Sequence, residues 1–284
     1  MLTDVRGVKV GHWTDFAAQT GCTAVVLPKD CVASGEVRGG APGTREFELL
    51  NPTRMVQHVD VVMLSGGSAY GLATGDGAMR WCEEHKRGYK TVRGGLVPIV
   101  IGMIIFDLAV GDRRVRPDAD AGYAACAAAR RGKFDVGLVG AGTGATLGKI
   151  GGPATTKPGG IGTATERDGD LVVSALMVVN AGGHLRDESG APVPWARQFT
   201  PLENTTIGVV VSNAKLDKNG CFLVAQGGHT GISRALDPSH TRFDGDAVVA
   251  AATGDVPADP DRVRALGAHA VEAAIRNAVS ASNP

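Results

Sequence analysis

The sequence predicts an α/β fold in one domain spanning residues 1–284, and three observations lead there. Short apolar runs, most of them β-branched, recur at 59–64, 97–108, 207–211 and 247–252, each with the length and composition of a buried strand. Segments with helical patterning and capping signals, 118–131 and 259–280 above all, alternate with them. No stretch is convincing enough as a linker to divide the chain into separately folding units, and no internal repeat is present.

The composition is that of an ordinary globular enzyme. Apolar residues make up 43% and charged residues 20%, and 29 basic side chains balance 29 acidic ones. That balance gives no electrostatic argument for a nucleic acid or an anionic membrane surface as partner. The start, MLTDVRGVKVGHW, lacks the basic and apolar regions of a secretory signal. The longest apolar run, 96–110, contains Pro98 and Asp107 and is too short to span a bilayer. The expectation is a soluble, cytoplasmic protein. Cys22, Cys31, Cys82, Cys126 and Cys221 are scattered and form no CxxC pair, which points to buried reduced thiols rather than a disulfide framework or a zinc site. Glycine is the outlier, with 41 residues, about twice the usual ~7% share, and implies many tight turns and close backbone approaches.

Taken in order, residues 5–34 alternate as strands do. Residues 35–45 (GEVRGGAPGTR) follow as a glycine-rich loop, by default a surface loop, from which Arg38 and Arg45 could face a pocket. The strand at 59–64 runs through Ser65-Gly66-Gly67-Ser68 into a helix at 76–85 ended by Gly88. Amides at such a turn suit an anion. Ser68 is not in a GxSxG elbow and is no nucleophile candidate. The run 97–108 reads as a core strand, and 118–131 as a helix with acids in its first turn, arginines in its last and Gly132 beyond. Residues 161–167 and 171–180 flank Asp168-Gly169-Asp170 as a hairpin. Residues 189–202 form a Pro-containing linker. Residues 218–226 make a poor helix interrupted by Gly220, and 259–280 a long amphipathic one opened by Pro260.

The segment 136–149, VGLVGAGTGATLGK, imitates a nucleotide site. Gly140-x-Gly142-x-x-Ala145 fits the looser dinucleotide fingerprint, but that fingerprint needs a helix straight after the glycines. Gly148, Gly151, Gly152, Pro153 and Pro158 forbid one. A phosphate loop fails too, because Thr143 stands where its first glycine belongs and Ile150 where Ser or Thr should follow the lysine. No nucleotide cofactor is expected, and no His/Cys/Asp cluster has metal-ligand spacing.

The polar knot Glu203-Asn204-Thr205-Thr206 runs directly into the apolar segment 207–211. Read alone it is a turn that opens a strand. It is also compatible with cleavage between Asn204 and Thr205, which would leave Thr205 as a new N-terminus with its hydroxyl as nucleophile and its own amine as base.

Six stretches in order settle which reading to carry forward: LSGGSAYGLATGDGAMRWCEE (64–84), VPIVIGMIIFDL (97–108), RPDADAGYAAC (116–126), VGAGTGATLGK (139–149), ENTTIGVVVSNAKL (203–216) and HTRFDGDAVVA (240–250). Together they resemble the self-processing group of L-aminopeptidase/D-amidase-esterases, β-peptidyl aminopeptidases and 6-aminohexanoate-oligomer hydrolases. The resemblance implies a layered αββα sandwich with helices outside two central sheets. It implies a precursor cut at Asn204–Thr205 into chains 1–204 and 205–284 that stay together, assembled as a homotetramer. Thr205, with Asp244 and Asp246 downstream of it, is most similar to the 6-aminohexanoate-oligomer hydrolase branch. Asp244 and Asp246 would otherwise be a tight Asp-Gly-Asp turn; by the resemblance they orient the Thr205 amine and tune one another.

Lys149 and Asn180 match the remaining active-site positions, Lys149 stabilising negative charge and Asn180 donating its amide to the oxyanion. Where several relatives carry a Tyr this chain has Phe106, which cannot donate, leaving Tyr70 or Tyr123 as possible substitutes. The implied activity is hydrolysis of an oligoamide or peptide through an acyl-enzyme on Thr205, with no cofactor. The alternatives are an aminopeptidase with a carboxylate such as Glu36, Glu46 or Glu48 for the substrate amine, an acyl transferase of the ornithine-acetyltransferase type, or an unprocessed binding protein.

Overall fold

A computed structural model describes residues 1–187, 195–196 and 203–284. The alternating N-terminal segment forms β1 (Lys9–Asp15), β2 (Thr20–Val26) and β3 (Val32–Val37), followed by the short β4 (Thr44–Arg45). The apolar runs become β5 (Val61–Ser65) and β6 (Val100–Ile104). The Asp-Gly hairpin is β7 (Gly160–Asp168) and β8 (Leu171–Asn180), and the last two runs are β9 (Thr205–Ala214) and β10 (Ala247–Val256). Four helices complete the frame: α1 (Thr74–Glu84), α2 (Ala119–Ala127), α3 (Lys218–Ala235) and α4 (Pro260–Ser282).

The strands form two five-stranded sheets, ordered β1-β2-β5-β6-β4 and β7-β8-β9-β10-β3. In each, one parallel pair (β5 with β6, β9 with β10) sits among antiparallel ones. The sheets face each other across a core that includes Val62, Leu64, Ile101 and Met103 from one side and Leu176, Ile207, Val209 and Val249 from the other. Val210, Val173 and Val248 point the opposite way and pack under α3 and α4, while Met63 and Val61 meet Trp81 and Cys126 of α1 and α2. The result is the four-layered αββα sandwich expected. Strands covered on both faces need apolar residues at every position. That is why 207–211 and 171–179 read as nearly unbroken apolar runs.

The deviations have physical causes. The helix expected over 118–131 stops at Ala127, because the Arg130 backbone exchanges hydrogen bonds with Val10 of β1. The expected core strand 97–108 shortens to β6; its end carries Asp107, buried and bound by Thr20 Oγ1 and by the Gly67 amide. That last bond corrects the anion-site reading of 65–68. The amides of Gly66, Gly67 and Ser68 go to Gly21 O, Asp107 and Ile105 O, so they are not free for an anion. The weak helix at 218–226 instead runs to Ala235. The glycine-rich stretch at 140–149 gives single turns and a two-residue strand, Thr146–Leu147, with no helix straight after its glycines, as expected. The expected linker, 189–202, lies outside the described residues apart from 195–196. All five cysteines are free and buried, and burial pushes the Cys31 and Cys82 thiols up to about 12. Among the described residues no helix is long and apolar enough to cross a membrane.

Candidate active site

Three strand ends meet at one end of the second sheet, on its three interior strands. β8 finishes at Asn180, whose register partner is Thr205, the first residue of β9. β9 and β10 run parallel, so their starts lie side by side, and Asp246 immediately precedes β10. Asn204 and Asp244 form a parallel bridge just before those starts. The topology thus brings together Asn180, Asn204, Thr205, Asp244 and Asp246, all of them 3% exposed or less.

The geometry around the Asn204–Thr205 bond is dense. Thr205 Oγ1 donates to the Asn204 carbonyl oxygen at 2.5 Å, and the Gly245 amide donates to the same oxygen at 2.9 Å. The position of Gly245 admits no side chain: a Cβ there would come within 2.7 Å of Thr205 Oγ1 and 2.9 Å of Ala41 O. Asp246 Oδ1 accepts the Thr206 amide at 2.6 Å, and its Oδ2 accepts both the backbone amide and Nδ1 of His240, at 3.0 and 2.8 Å. Asp244 Oδ2 accepts the amide and hydroxyl of Thr241. Burial, with the negative charge of Asp246 second, pushes the Asp244 carboxyl above the usual carboxylate range.

Lys149 enters from the turn after the glycine-rich segment. Its ammonium donates to Asn180 O, Asn180 Oδ1 and Glu203 O, each at 2.9 Å. Those oxygens match the three N–H bonds of an ammonium, yet burial pulls Lys149 down to about 7. The Asn180 amide donates to Glu203 O at 3.0 Å and to Phe106 O at 3.1 Å. The Glu203 carbonyl therefore takes one N–H from Lys149 and one from the Asn180 amide. The Asn204 carboxamide is buried with no hydrogen-bond partner among the described residues.

Some expectations change here. Neither alternative tyrosine reaches this cluster: Tyr70 is 61% exposed under Arg116, and the Tyr123 hydroxyl donates to Glu84. Arg45 pairs with Asp76, and Arg38 with Glu36. Glu36 and Glu48 line a separate cleft with Phe47 and Phe222, and Glu46 is exposed. The 35–45 loop is more than a surface loop. The Arg38 and Gly39 amides donate to Asp246 O and the Ala41 amide to Asp244 O, which clamps the Asp-Gly-Asp turn. Sequence reasoning gave no role to this clamp, to Gly245 or to His240. Only the inclusion of His240 in the stretch 240–250 hinted at it.

A model of peptidase family S58 matches residues 1–284. The chain belongs to peptidase family S58. As a member of that family it is a hydrolase acting on amide bonds. An uncharacterised aminopeptidase of Mycobacterium leprae is 41% identical, with 90% of this chain and 79% of that protein covered. A 6-aminohexanoate-oligomer endohydrolase of Kocuria sp. is 29% identical, covering 95% of this chain and 82% of that protein. Among solved structures, the L-aminopeptidase D-Ala-esterase/amidase of Ochrobactrum anthropi, described as a variant of the Ntn-hydrolase fold, superposes with TM-score 0.79. Its sequence is 20% identical over 99% of this chain and 86% of that one. A Burkholderia β-aminopeptidase gives TM-score 0.77 at 23% identity over the same shares. The S58 chain thus shares the Ntn-hydrolase type of sandwich. Its similarity to the mycobacterial aminopeptidases exceeds that to the oligoamide hydrolase.

Proposed function

We propose that this S58 peptidase cuts itself between Asn204 and Thr205 and then hydrolyses peptide or linear oligoamide bonds with Thr205 as an N-terminal nucleophile. The observation that carries this is the pair of donors on the Asn204 carbonyl. The hydroxyl that would attack lies against that group, and the Gly245 amide is already aimed at the oxygen on which charge would develop. In the first step Thr205 Oγ1 adds to the Asn204 carbonyl carbon, the C–N bond breaks as the hydroxyl proton passes to the leaving nitrogen, and an ester with a free Thr205 amine results. Water then hydrolyses the ester, leaving Asn204 as a carboxylate terminus.

Cleavage also releases the Glu203 carbonyl from Lys149 and Asn180, so both become available to a substrate oxyanion. In turnover, Thr205 Oγ1 attacks the substrate carbonyl while the α-amine takes its proton and passes it to the leaving amine. Water then discharges the acyl group. Asp246 fixes the start of β9 through the Thr206 amide. Asp244 supplies a second, proton-accepting carboxylate beside it. No step needs a cofactor, and the assembly proposed is a homotetramer of processed protomers.

The closer relatives carry an aminopeptidase name, which favours free-amine peptides as a second substrate reading beside oligoamides. One panel decides between them: a 6-aminohexanoate oligomer, its N-blocked form and an aminoacyl-p-nitroanilide. Cleavage of the blocked oligomer supports an endohydrolase, and activity confined to free amines an aminopeptidase. Acyl transfer to an added amine with negligible hydrolysis defeats both.

A further inference from the structure

His240 lies behind Asp246, its side chain 15% exposed. One ring nitrogen, Nδ1, meets the Asp246 carboxylate at 2.8 Å, and the other, Nε2, meets the carbonyl oxygen of His229 at 3.2 Å. Asp246 already accepts a backbone N–H on each of its oxygens, as an ionised carboxylate does; against a carboxylate on one side and a carbonyl oxygen on the other, both ring nitrogens donate. A neutral imidazole carries a single N–H and cannot satisfy the two.

We infer that His240 is an imidazolium that positions Asp246 as a carboxylate, and so leaves Asp244 as the member of the acid pair that takes up a proton. The inference rests on the proposed role of Thr205 and adds to it the division of labour between the aspartates. Asp246 receives three N–H donors and has no use for a proton of its own. Asp244 also receives donors, the Thr241 hydroxyl and amide on one oxygen and the Gly182 backbone, but it has no ion-pair partner among the described residues and faces the Asp246 charge.

The other charged or titratable groups near His240 are few. His229 of α3 stands edge-on to it at 4.8 Å between ring centroids; its Nε2 donates to Glu36 O, and its Nδ1 is buried with no partner among the described residues. Burial pushes His229 well down, so it adds no second positive charge. Arg38 on the clamping loop is paired with Glu36. Burial by itself would lower His240, but the bond to Asp246 carries it above the ordinary histidine value.

The backbone at His240 is left-handed, with φ of 58°, which Asn tolerates. His240→Asn therefore keeps a donor where Nδ1 stands and removes the charge, whereas His240→Ala removes both. The experiment has two arms. Imidazole ¹⁵N–¹H correlation spectra of uncut Thr205→Ala protein, with the His240 signal assigned by its loss in His240→Asn, should show two protonated nitrogens at pH 7.5. A neutral ring there overturns the inference; should His240→Asn not fold, through-bond correlation to the assigned His240 backbone supplies the assignment instead.

The second arm measures kcat/KM against pH on the best substrate of the panel. For His240→Asn the acidic limb should move up by about one pH unit or more, the scale on which an opposite charge shifts a carboxylate. His240→Ala should show the same displacement and a further loss in kcat of about tenfold, with KM little changed. Limbs superimposable on wild type would overturn the inference while leaving Thr205 in place. Activity surviving in Thr205→Ala would instead remove the nucleophile assignment and leave the spectroscopic result standing.

Discussion

Thr205 is the residue on which the proposed chemistry turns, and its surroundings make the first test sharp. Wild-type protein on a denaturing gel should show chains 1–204 and 205–284. Thr205→Ala should remain one band, and Thr205→Ser should still be cut. An intact wild-type band that retains full activity would defeat the N-terminal-nucleophile reading. Asp244→Asn and Asp246→Asn should each lower amide hydrolysis by about 10²-fold or more with the circular dichroism unchanged, the usual effect of losing a positioned acid–base partner; near-normal turnover in both would return them to a structural turn.

Lys149 gives a pH prediction. Its folded value of about 7 lies below the 10.5 of a free lysine. Between those values the unfolded chain holds a proton that the folded one has released, so stability rises with pH across that window. In the Thr205→Ala background, urea midpoints should climb from pH 7.5 to 9 more steeply than in Lys149→Met. Equal slopes would show that Lys149 is not the group responsible.

At the scale of elements, the turn 244–246 and helix α3 show glycine used for close approach. Gly245→Ala would push a methyl group into Thr205 Oγ1 and Ala41 O. Self-cleavage should slow by at least about tenfold, since small misplacements of reacting groups cost that much or more; a gel time course measures it. In α3 the propensity argument runs the wrong way. Alanine in place of a helical glycine normally stabilises by about 1 kcal/mol. Yet a Cβ at Gly227 would lie 2.5 Å from Arg264 O, and one at Gly231 2.4 Å from Ala268 O, both on α4. Overpacking of that kind costs about 1–3 kcal/mol and outweighs propensity. Gly227→Ala and Gly231→Ala should both lower Tm, and a rise in Tm for either would show that the helices separate freely.

For the whole molecule, the consequence of a cut at 204–205 follows from sheet order. In β7-β8-β9-β10-β3 the strands of 1–204 flank β9 and β10 on both sides. The two chains would share one sheet and the cores on both its faces. They should co-elute on size exclusion in native buffer and part only in denaturant. Dissociation in dilute buffer without loss of structure would contradict this. The same frame places the candidate site at one end of the three interior strands of the second sheet, with its residues buried.

What the sequence alone determined is local or periodic. Strands covered on both faces write themselves as continuous apolar runs, and the Asp-Gly hairpin and the Pro260 helix start are short-range signals that packing did not override. Thr205 is legible as a possible nucleophile from its own stretch, whereas Asp244, Asp246, Lys149 and Asn180 gain site roles in the sequence only through the resemblance to one family. By residue type alone they read as a turn, a solvated lysine and a strand end. The tertiary structure decided what depends on separation in sequence. Parallel pairing of β9 with β10 sets the Asp-Gly-Asp turn beside Thr205, and the 35–45 loop clamps that turn through backbone amides, which any residue but proline supplies. The length of α3 was illegible for the same reason: its glycines weaken a helix considered alone and become necessary only when α4 lies against them. His240 gave no signal by itself, because the need for two donors on one ring arises only where Asp246 and the His229 carbonyl meet it from opposite sides.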